Sequence, residues 1–505
     1  MSFLFHKSSN SAVIYQRILV TSHNMLNIAN TICAPATPVG GGAVSLIRIS
    51  GPDTHAVVDR VVAFRRGNAA SADGYSLKFG TVDGVDDVLV ALFKAPHSYT
   101  GEDAAEISCH ASPFIVEKLM QLLCDAGAVP AEPGEFTRRA FVNGKMDLAQ
   151  AEAVADLIAS TNDASHRVAM NQLRGGISSE LQELRSQLLD VTSLMELELD
   201  FSEEEVEFAD RQQLLGLLDS ALSHLKRLTE SFRLGNAIRR GVPVAIVGAT
   251  NTGKSTLLNA LLGEERAIVS PVAGTTRDTV EETFNIDGTL FRLIDTAGIR
   301  ETSDSVESIG IERTFEKLML ADSVIAVFDV NSPADTLVSE FRNILSRLNL
   351  KTQQLIVVLN KADKIEGASE GAFSGDLLAN LVVNKIVTDF NKVVSFVGNK
   401  IDIVVMSAKL RINVAELEKC LSDRQKARIA GSGTAVLVSN ARHFNALSAA
   451  SRALSLARSG IASRTPTDLV SQDLREALYH LGSITGEITT DEVLGNIFRK
   501  FCIGK

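Results

Sequence analysis

Three textures of apolar and polar positions follow one another along the chain. Residues 31–145 carry short apolar runs such as Val44–Ile49 and Val88–Phe93 between Gly/Pro turns, which predicts an α+β unit. From Leu148 the spacing changes. Leu181, Leu184, Leu188, Val191 and Leu194, then Leu218, Leu222, Leu225 and Leu228, recur at the period of an amphipathic helix. Between 241 and 410 short apolar strands alternate with helical stretches: Val242–Val247, Phe291–Asp295, Val324–Val330, Leu355–Leu359 and Ile403–Met406. That alternation predicts a parallel sheet covered by helices. After residue 425 the helical period returns, with Leu447, Ala450, Leu454 and Ala457, then Leu474, Leu478 and Leu481. Two helical segments around an α/β module predict one helical domain interrupted by an inserted one. The expected boundaries are 1–29 for an N-terminal extension, 30–145, 146–240, 241–424 and 425–505.

Composition narrows the class. With 505 residues the chain exceeds one core, and no apolar run reaches the roughly 20 residues of a membrane helix. A net charge of −11 argues against blanket affinity for nucleic acid, so an RNA contact calls for a local basic patch. Cys33, Cys109, Cys124, Cys420 and Cys502 form no C-x-x-C pair, which suits a reducing cytoplasm and gives no zinc framework. Residues 1–28 contain Lys7, Arg17 and several serines and no acidic residue. Two readings stand: an over-extended start with Met25 as the true initiator, or an arm that is simply disordered, in a cytoplasmic protein; and a transit peptide that would place the protein in the mitochondrial matrix.

The inserted module carries an ordered set of motifs. Gly248-Ala-Thr-Asn-Thr-Gly-Lys-Ser255 fits G-x-x-x-x-G-K-[ST] between an apolar strand and a helix beginning near Thr256. Its main-chain N–H groups around Asn251, Thr252 and Gly253 can face phosphates. Lys254 can reach the β- and γ-phosphates, and the Ser255 hydroxyl can serve Mg²⁺. Asp295-Thr296-Ala297-Gly298 ends the next strand, where the Asp can hold the magnesium shell and Gly298 can offer its N–H to the γ-phosphate. Between them lies Gly274-Thr-Thr-Arg-Asp278, with Thr276 as candidate Mg²⁺ ligand in a switch loop. Asn360-Lys361-Ala-Asp363 follows a strand. A carboxylate there accepts two N–H donors from guanine, a pair that adenine lacks, so Asp363 selects GTP. Lys361 is expected along the base and Asn360 as a brace. Ser407-Ala408-Lys409 is expected to place an N–H against guanine O6. A second N-K-x-D, Asn399-Lys-Ile-Asp402, begins the last strand. It leaves no room for the crossover helix that parallel strands need, so Asp402 is read as structural. Ile299 stands where a water-orienting Gln is found in Ras-type switches, so hydrolysis needs another group, an ion or a partner.

Outside this module the chain carries Ser98-Tyr-Thr-Gly-Glu-Asp103, Pro133-Gly-Glu-Phe-Thr137, Arg139-Ala-Phe141, Asn143-Gly-Lys-Met-Asp-Leu-Ala-Gln-Ala-Glu152, Leu199-Asp-Phe-Ser-Glu-Glu204 and a terminal Cys502-Ile-Gly-Lys505. With the nucleotide motifs, these resemble the MnmE (TrmE) family of tRNA-modification GTPases, of the TrmE-Era-EngA-like group, from about Asn30 to Lys505. The resemblance implies a multidomain α/β plus all-α architecture. A P-loop GTPase domain is inserted into a helical domain, preceded by an α+β domain that binds folate and dimerises. It implies GTP hydrolysis stimulated by K⁺ and modification of C5 of the wobble uridine of certain tRNAs. An FAD-dependent MnmG-type partner, forming a heterotetramer with the homodimer, and a tetrahydrofolate one-carbon unit are required, and the products are of aminomethyl or carboxymethylaminomethyl type.

Residue by residue, the resemblance implies potassium ligands at Asn251, Ser270, Val272 and Thr275, and a catalytic, water-orienting Glu307. Alone, Glu307 reads as a solvated helix-start residue. The implied folate positions are Arg48, Glu106, Lys145 and Lys505. Cys502 is open between a nucleophile lowered in pKa by Arg499, Lys500 and Lys505 and a residue that packs the C-terminus. The chain departs from the family pattern at Gly41, where arginine is usual, and at Ala43, Ser45 and Ala111, where glycine is usual. Thr250 stands for a proline, and the stretch from Asp363 to Ser407 is long. A regulatory or ribosome-assembly GTPase that binds RNA without modifying it is the alternative. It accounts for the inserted module and not for the outer motifs.

Overall fold

The computed structural model describes residues 29–38, 41–200, 211–266, 282–294, 318, 321–350, 353–365, 386, 388–390, 401–431, 436–488, 491–498, 501 and 504. The chain forms two compact units. The first comprises Met1–Ala155, Gln172–Leu218 and Arg452–Lys505, and the second Asp156–Asn171 and Asp219–Ser451.

The first unit is built on a sheet of seven strands: β1 (Ile32–Pro35), β2 (Val44–Ser50), β3 (Ala63–Phe64), β4 (Ser76–Val82), β5 (Asp86–Phe93), β6 (Ala104–His110) and β7 (Val129–Pro130). Their order is β3-β4-β5-β6-β2-β1-β7, antiparallel throughout except for the parallel pair β1–β7. Alternation along the strands sends Ile47 and Ile49, Val88, Val90 and Leu92, and Ala105, Ile107 and Cys109 to one face. There they form a core with Val57 and Val58 of helix Thr54–Val61 and Val116, Leu119 and Leu123 of helix Pro113–Asp125. The opposite face carries Arg48 directly across from Glu106. Helix Gly176–Asp200 packs against helix Thr467–Thr485, so segments from either side of the inserted module share one layer. The residues predicted by period are the ones buried there: Leu181, Leu184, Leu188 and Val191, and Leu474, Leu478 and Leu481.

The second unit holds a sheet of six strands: β8 (Val242–Val247), β9 (Thr283–Ile286), β10 (Thr289–Leu293), β11 (Ser323–Asp329), β12 (Gln354–Asn360) and β13 (Asp402–Val405). The order is β13-β12-β11-β8-β10-β9, parallel except for the β9–β10 hairpin. Every residue of β12 is buried, because a parallel strand between helical layers has no wet face. One layer packs Val244, Ile246, Ile325, Val327, Ile356 and Val358 against Leu257 and Leu261 of helix Lys254–Arg266 and Leu417 and Leu421 of helix Val414–Gly431. The other packs Val324, Ala326, Phe328, Leu355, Val357 and Leu359 against Leu337 and Phe341 of helix Ala334–Leu345. The chain enters this sheet straight from helix Arg211–Arg240. From β8 it turns to β10 on one side and reaches β11 on the other, which places a switch point at the C-terminal end of β8. No helix among the described residues is long and apolar enough to cross a membrane.

Candidate active site

The loop after β8 is shaped by three residues with positive φ: Gly248 (φ 153), Asn251 (φ 63) and Gly253 (φ 95). A Cβ on Gly248 would lie 2.2 Å from the Val327 carbonyl oxygen, and one on Gly253 2.3 Å from Asn360 Nδ2, so side chains are excluded at both places. The Lys254 ammonium donates to the carbonyls of Gly248 at 3.0 Å and Ala249 at 2.7 Å and closes over the loop. Burial pushes its pKa below the usual lysine range. Thr252 Oγ1 donates to the Ala249 carbonyl at 3.0 Å, and helix Lys254–Arg266 starts as Leu257 N–H donates to Gly253 O at 2.9 Å. The amides that open this helix form a site for a polyanion. Ser255 is half-buried and Thr256 exposed on the same first turn.

Two further loops are tied to this one through Asn360. Its Nδ2 donates to Thr252 O at 2.9 Å, and its Oδ1 accepts from Ala408 N–H at 3.0 Å, with the side chain buried. Asp363 Oδ1 accepts from Ser407 Oγ at 2.6 Å, Ala362 N–H donates to Met406 O at 3.2 Å, and Lys409 is exposed beyond them. The structure therefore gathers residues 248–256, 360–363 and 407–409 at the C-terminal ends of β8, β12 and β13. Asp402 opens β13 opposite Ile356, toward the start of β12 and away from the loop that carries Asp363.

One partner in this cluster has no motif. Lys361 adopts a left-handed backbone (φ 64, ψ 34), and its ammonium pairs with Asp329 Oδ2 at 2.8 Å. Asp329 ends β11 in register with Asn360. Burial alone would raise its pKa, but hydrogen bonds from Lys361 and Asn331 hold it below the usual carboxylate range.

A second polar cluster lies on the open face of the seven-stranded sheet. Arg48 donates to Glu106 Oε1 from Nε at 2.9 Å and from Nη2 at 2.7 Å. Its guanidinium lies 5.3 Å from the Tyr99 ring centroid and 5.7 Å from that of Phe136. Arg48, Ser50, Phe93, Tyr99, Thr100 and Glu106 line a pocket of about 80 Å³. Burial raises the Tyr99 pKa, opposed by the Thr137 hydrogen bond and the Arg48 charge. The C-terminus reaches this cluster, since Arg48 Nη1 donates to Gly504 O at 3.4 Å. Lys145 lies instead against Gly101, with its ammonium on Pro96 O at 2.9 Å.

Behind the pocket, buried Arg139 bridges Glu102 at 3.2 Å and Glu135 at 2.9 Å, and Ser50 Oγ donates to Glu102 Oε2 at 2.7 Å. The Ser98–Asp103 and Pro133–Thr137 motifs are thereby joined in one network, with Tyr99 Oη and Thr137 Oγ1 2.9 Å apart.

The family model for the MnmE helical domain matches residues 148–502, and that for the GTP-binding protein TrmE N-terminus matches residues 31–145. The chain belongs to the MnmE family. It is 47% identical over 94% of its length to the whole of the tRNA modification GTPase MnmE of Parabacteroides distasonis. It is 48% identical over 94% of its length to 99% of the protein of that name from Bacteroides thetaiotaomicron. For the one from Christiangramia forsetii the figures are 46%, 95% and 100%.

Of the residues expected in an MnmE-family site, Ser270, Val272, Thr275, Thr276, Asp295, Thr296, Ala297, Gly298, Glu307, Cys502 and Lys505 lie outside the described residues. Sequence reasoning assigned no role to Asp329, Ser50 or Thr100. Asp329 ends a strand with no motif around it, whereas Thr100 sits inside the Ser98–Asp103 motif, which could have pointed to it.

Proposed function

We propose that this chain binds and hydrolyses GTP in the modification of tRNA. It acts in the cytoplasm as a homodimer with an FAD-dependent MnmG-type partner, on C5 of the wobble uridine, with a folate one-carbon unit. The observation that carries the reading is Asn360 joining the phosphate loop to the loops of Asp363 and Ala408, in a chain with relatives named tRNA modification GTPase MnmE.

In this reading the amides of residues 251–256 and Lys254 hold the phosphates. Asp363 accepts from N1 and N2 of guanine, and the Ala408 region faces O6. Ser255 and Thr276 hold Mg²⁺, which supplies positive charge to the phosphate oxygens. Asn251, with its side chain exposed on the loop, joins Ser270, Val272 and Thr275 around K⁺, which takes the place of an arginine finger. Glu307 orients the attacking water, a role Ile299 cannot fill.

The Arg48–Glu106 cluster fits a folate. Glu106, with Arg48 beside it, offers a carboxylate to a pterin N–H edge, Phe93 and Tyr99 line the same pocket, and Lys145 and Lys505 offer cations to the glutamate tail. When bound, the folate supplies the one-carbon unit. The boundaries at 145/146, 240/241 and 424/425 accompany this reading.

The test is mass spectrometry of wobble uridines from cells lacking the protein, together with hydrolysis rates in K⁺ and Na⁺. The expected results are loss of the C5 modification and faster hydrolysis in K⁺. Unchanged uridines would overturn the modifying role. Absence of folate binding by the full chain would favour a GTPase that binds RNA without modifying it.

A further inference from the structure

Lys361 is held at two points by the end of β11, and its neighbour Asn360 at a third. Its ammonium pairs with Asp329 Oδ2 at 2.8 Å, its carbonyl accepts from Asn331 Nδ2 at 3.2 Å, and Val330 N–H donates to the neighbouring Asn360 carbonyl at 3.0 Å. Asn331 in turn locks the carboxylate, giving its N–H at 3.0 Å and its Nδ2 at 2.9 Å to Asp329 Oδ1. Asp329 thus has both oxygens engaged and its rotamer fixed, with only about a quarter of the side chain exposed (23%). Lys361 carries a positive φ that a lysine adopts at a cost, and these contacts over-determine it.

We propose that Asp329 is a positioning residue of the guanine site: it pins Lys361 so that the lysine stem forms one wall of the base slot. The inference rests on the nucleotide reading above. Its chemical content is twofold. An unpinned lysine loses its fixed direction, and the base loses a wall ordered before binding. An unpaired ammonium also becomes a competitor for the Asp363 carboxylate two positions along the same loop, the acceptor that guanine needs. Asp329 touches neither phosphate nor water in this scheme, so it acts on binding and leaves the hydrolytic step alone.

The experiment uses the full chain, with GTP and GDP affinity from calorimetry and steady-state hydrolysis at saturating Mg²⁺ and K⁺. Asp329→Asn keeps size and the Asn331 contacts but removes the charge. The expected result is a Kd for GTP and GDP raised about tenfold, as for loss of one charge-assisted bond that orders a binding group, and a KM raised with kcat retained. Asp329→Glu should recover part of the affinity. In Lys361→Met the Asp329→Asn change should have no further effect, since the two act as one unit. A melting temperature measured without nucleotide checks that the fold survives. If Asp329→Asn fails to fold, Lys361→Met approaches the pair from the other side and must itself raise Kd. Parental affinity in Asp329→Asn, additive losses in the double variant, or a fall in kcat with KM unchanged each overturn the proposal. A parent chain that binds no guanine nucleotide overturns the underlying reading as well and is distinguishable from the other outcomes.

Discussion

Asn360 Nδ2 donates to the Thr252 carbonyl at 2.9 Å, so a residue at the end of β12 holds the phosphate loop after β8. Its Oδ1 meanwhile accepts from Ala408 N–H at 3.0 Å. Asn360 is 2% exposed, so both partners stay buried if the amide is removed. Asn360→Ala should destabilise the second unit by about 3 kcal/mol, the sum of one lost donor and one lost acceptor left without replacement. The same change should loosen the phosphate loop and the Ser407 loop together. Urea unfolding reads the first effect and GTP affinity the second. Wild-type affinity in a destabilised variant would separate the bracing role from the binding one.

Asp363 accepts from Ser407 Oγ at 2.6 Å through one oxygen, and in the proposed reading its carboxylate also accepts from guanine. Asp363→Asn turns half of that acceptor into a donor. GTP affinity should fall by at least about a hundredfold, the size of two charge-assisted bonds lost, while xanthosine triphosphate should gain. Competition binding with the two nucleotides checks the inversion.

The depressed Lys254 pKa makes a pH prediction. Burial disfavours the ammonium in the fold, so its pKa lies below the ordinary lysine value. A bound triphosphate reverses this by supplying negative charge, and the pKa rises on binding. Between the free and bound values, binding therefore takes up a proton, and affinity falls as pH rises through that window. Below the window Lys254 is charged in both states and no uptake occurs. Calorimetry in buffers of different ionisation enthalpy should show proton uptake at alkaline pH that Lys254→Met abolishes.

The central parallel strands β8, β11 and β12 were legible because they are buried on both faces: Val242–Val247 reads as one apolar run and is β8 residue for residue. The loops at 248–255, 360–363 and 407–409 were legible as strand ends because each follows an apolar run, and strand spacing placed Asp402 at the start of β13, where it lies. What was not legible is pairing at a distance. Arg48 and Glu106 are 58 residues apart, and Arg139 and Glu102 are 37 apart. No local period encodes such contacts, since antiparallel register on the open face creates the first and a returning helix the second. Asp329 escaped for a related reason: its partner Lys361 arrives from the neighbouring strand end.

Glu106→Gln isolates the second cluster. The Arg48–Glu106 pair is partly exposed, with side chains at 18% and 25%, so its loss should cost no more than about 1 kcal/mol of stability. Affinity for tetrahydrofolate should fall about tenfold or more, because the carboxylate proposed to accept from a pterin edge becomes an amide. Calorimetry with the folate and thermal melting distinguish the two effects. A large drop in melting temperature with unchanged folate affinity would make the pair structural.

Gly504 lies against β1. Its φ of 94 suits glycine, and an added Cβ would sit 2.2 Å from the Pro35 carbonyl oxygen of β1, backbone that cannot move aside. Gly504→Ala should therefore push residue 504 away from β1 and withdraw the carbonyl that Arg48 Nη1 reaches at 3.4 Å. Because only the terminus shifts, the cores of both units stay packed and GTP hydrolysis should persist. Folate affinity and wobble modification in cells should fall. Gly216→Ala, at a helical glycine with nothing within 4 Å, is the matched control, and removing a flexible residue there should if anything stabilise the chain by about 1 kcal/mol. Loss of modification in Gly504→Ala with hydrolysis kept would make docking of the C-terminus, rather than nucleotide turnover, the step that completes the second site. Normal modification in that variant would mean the terminus can bind in another way, and the Arg48 contact would then have no part in the chemistry.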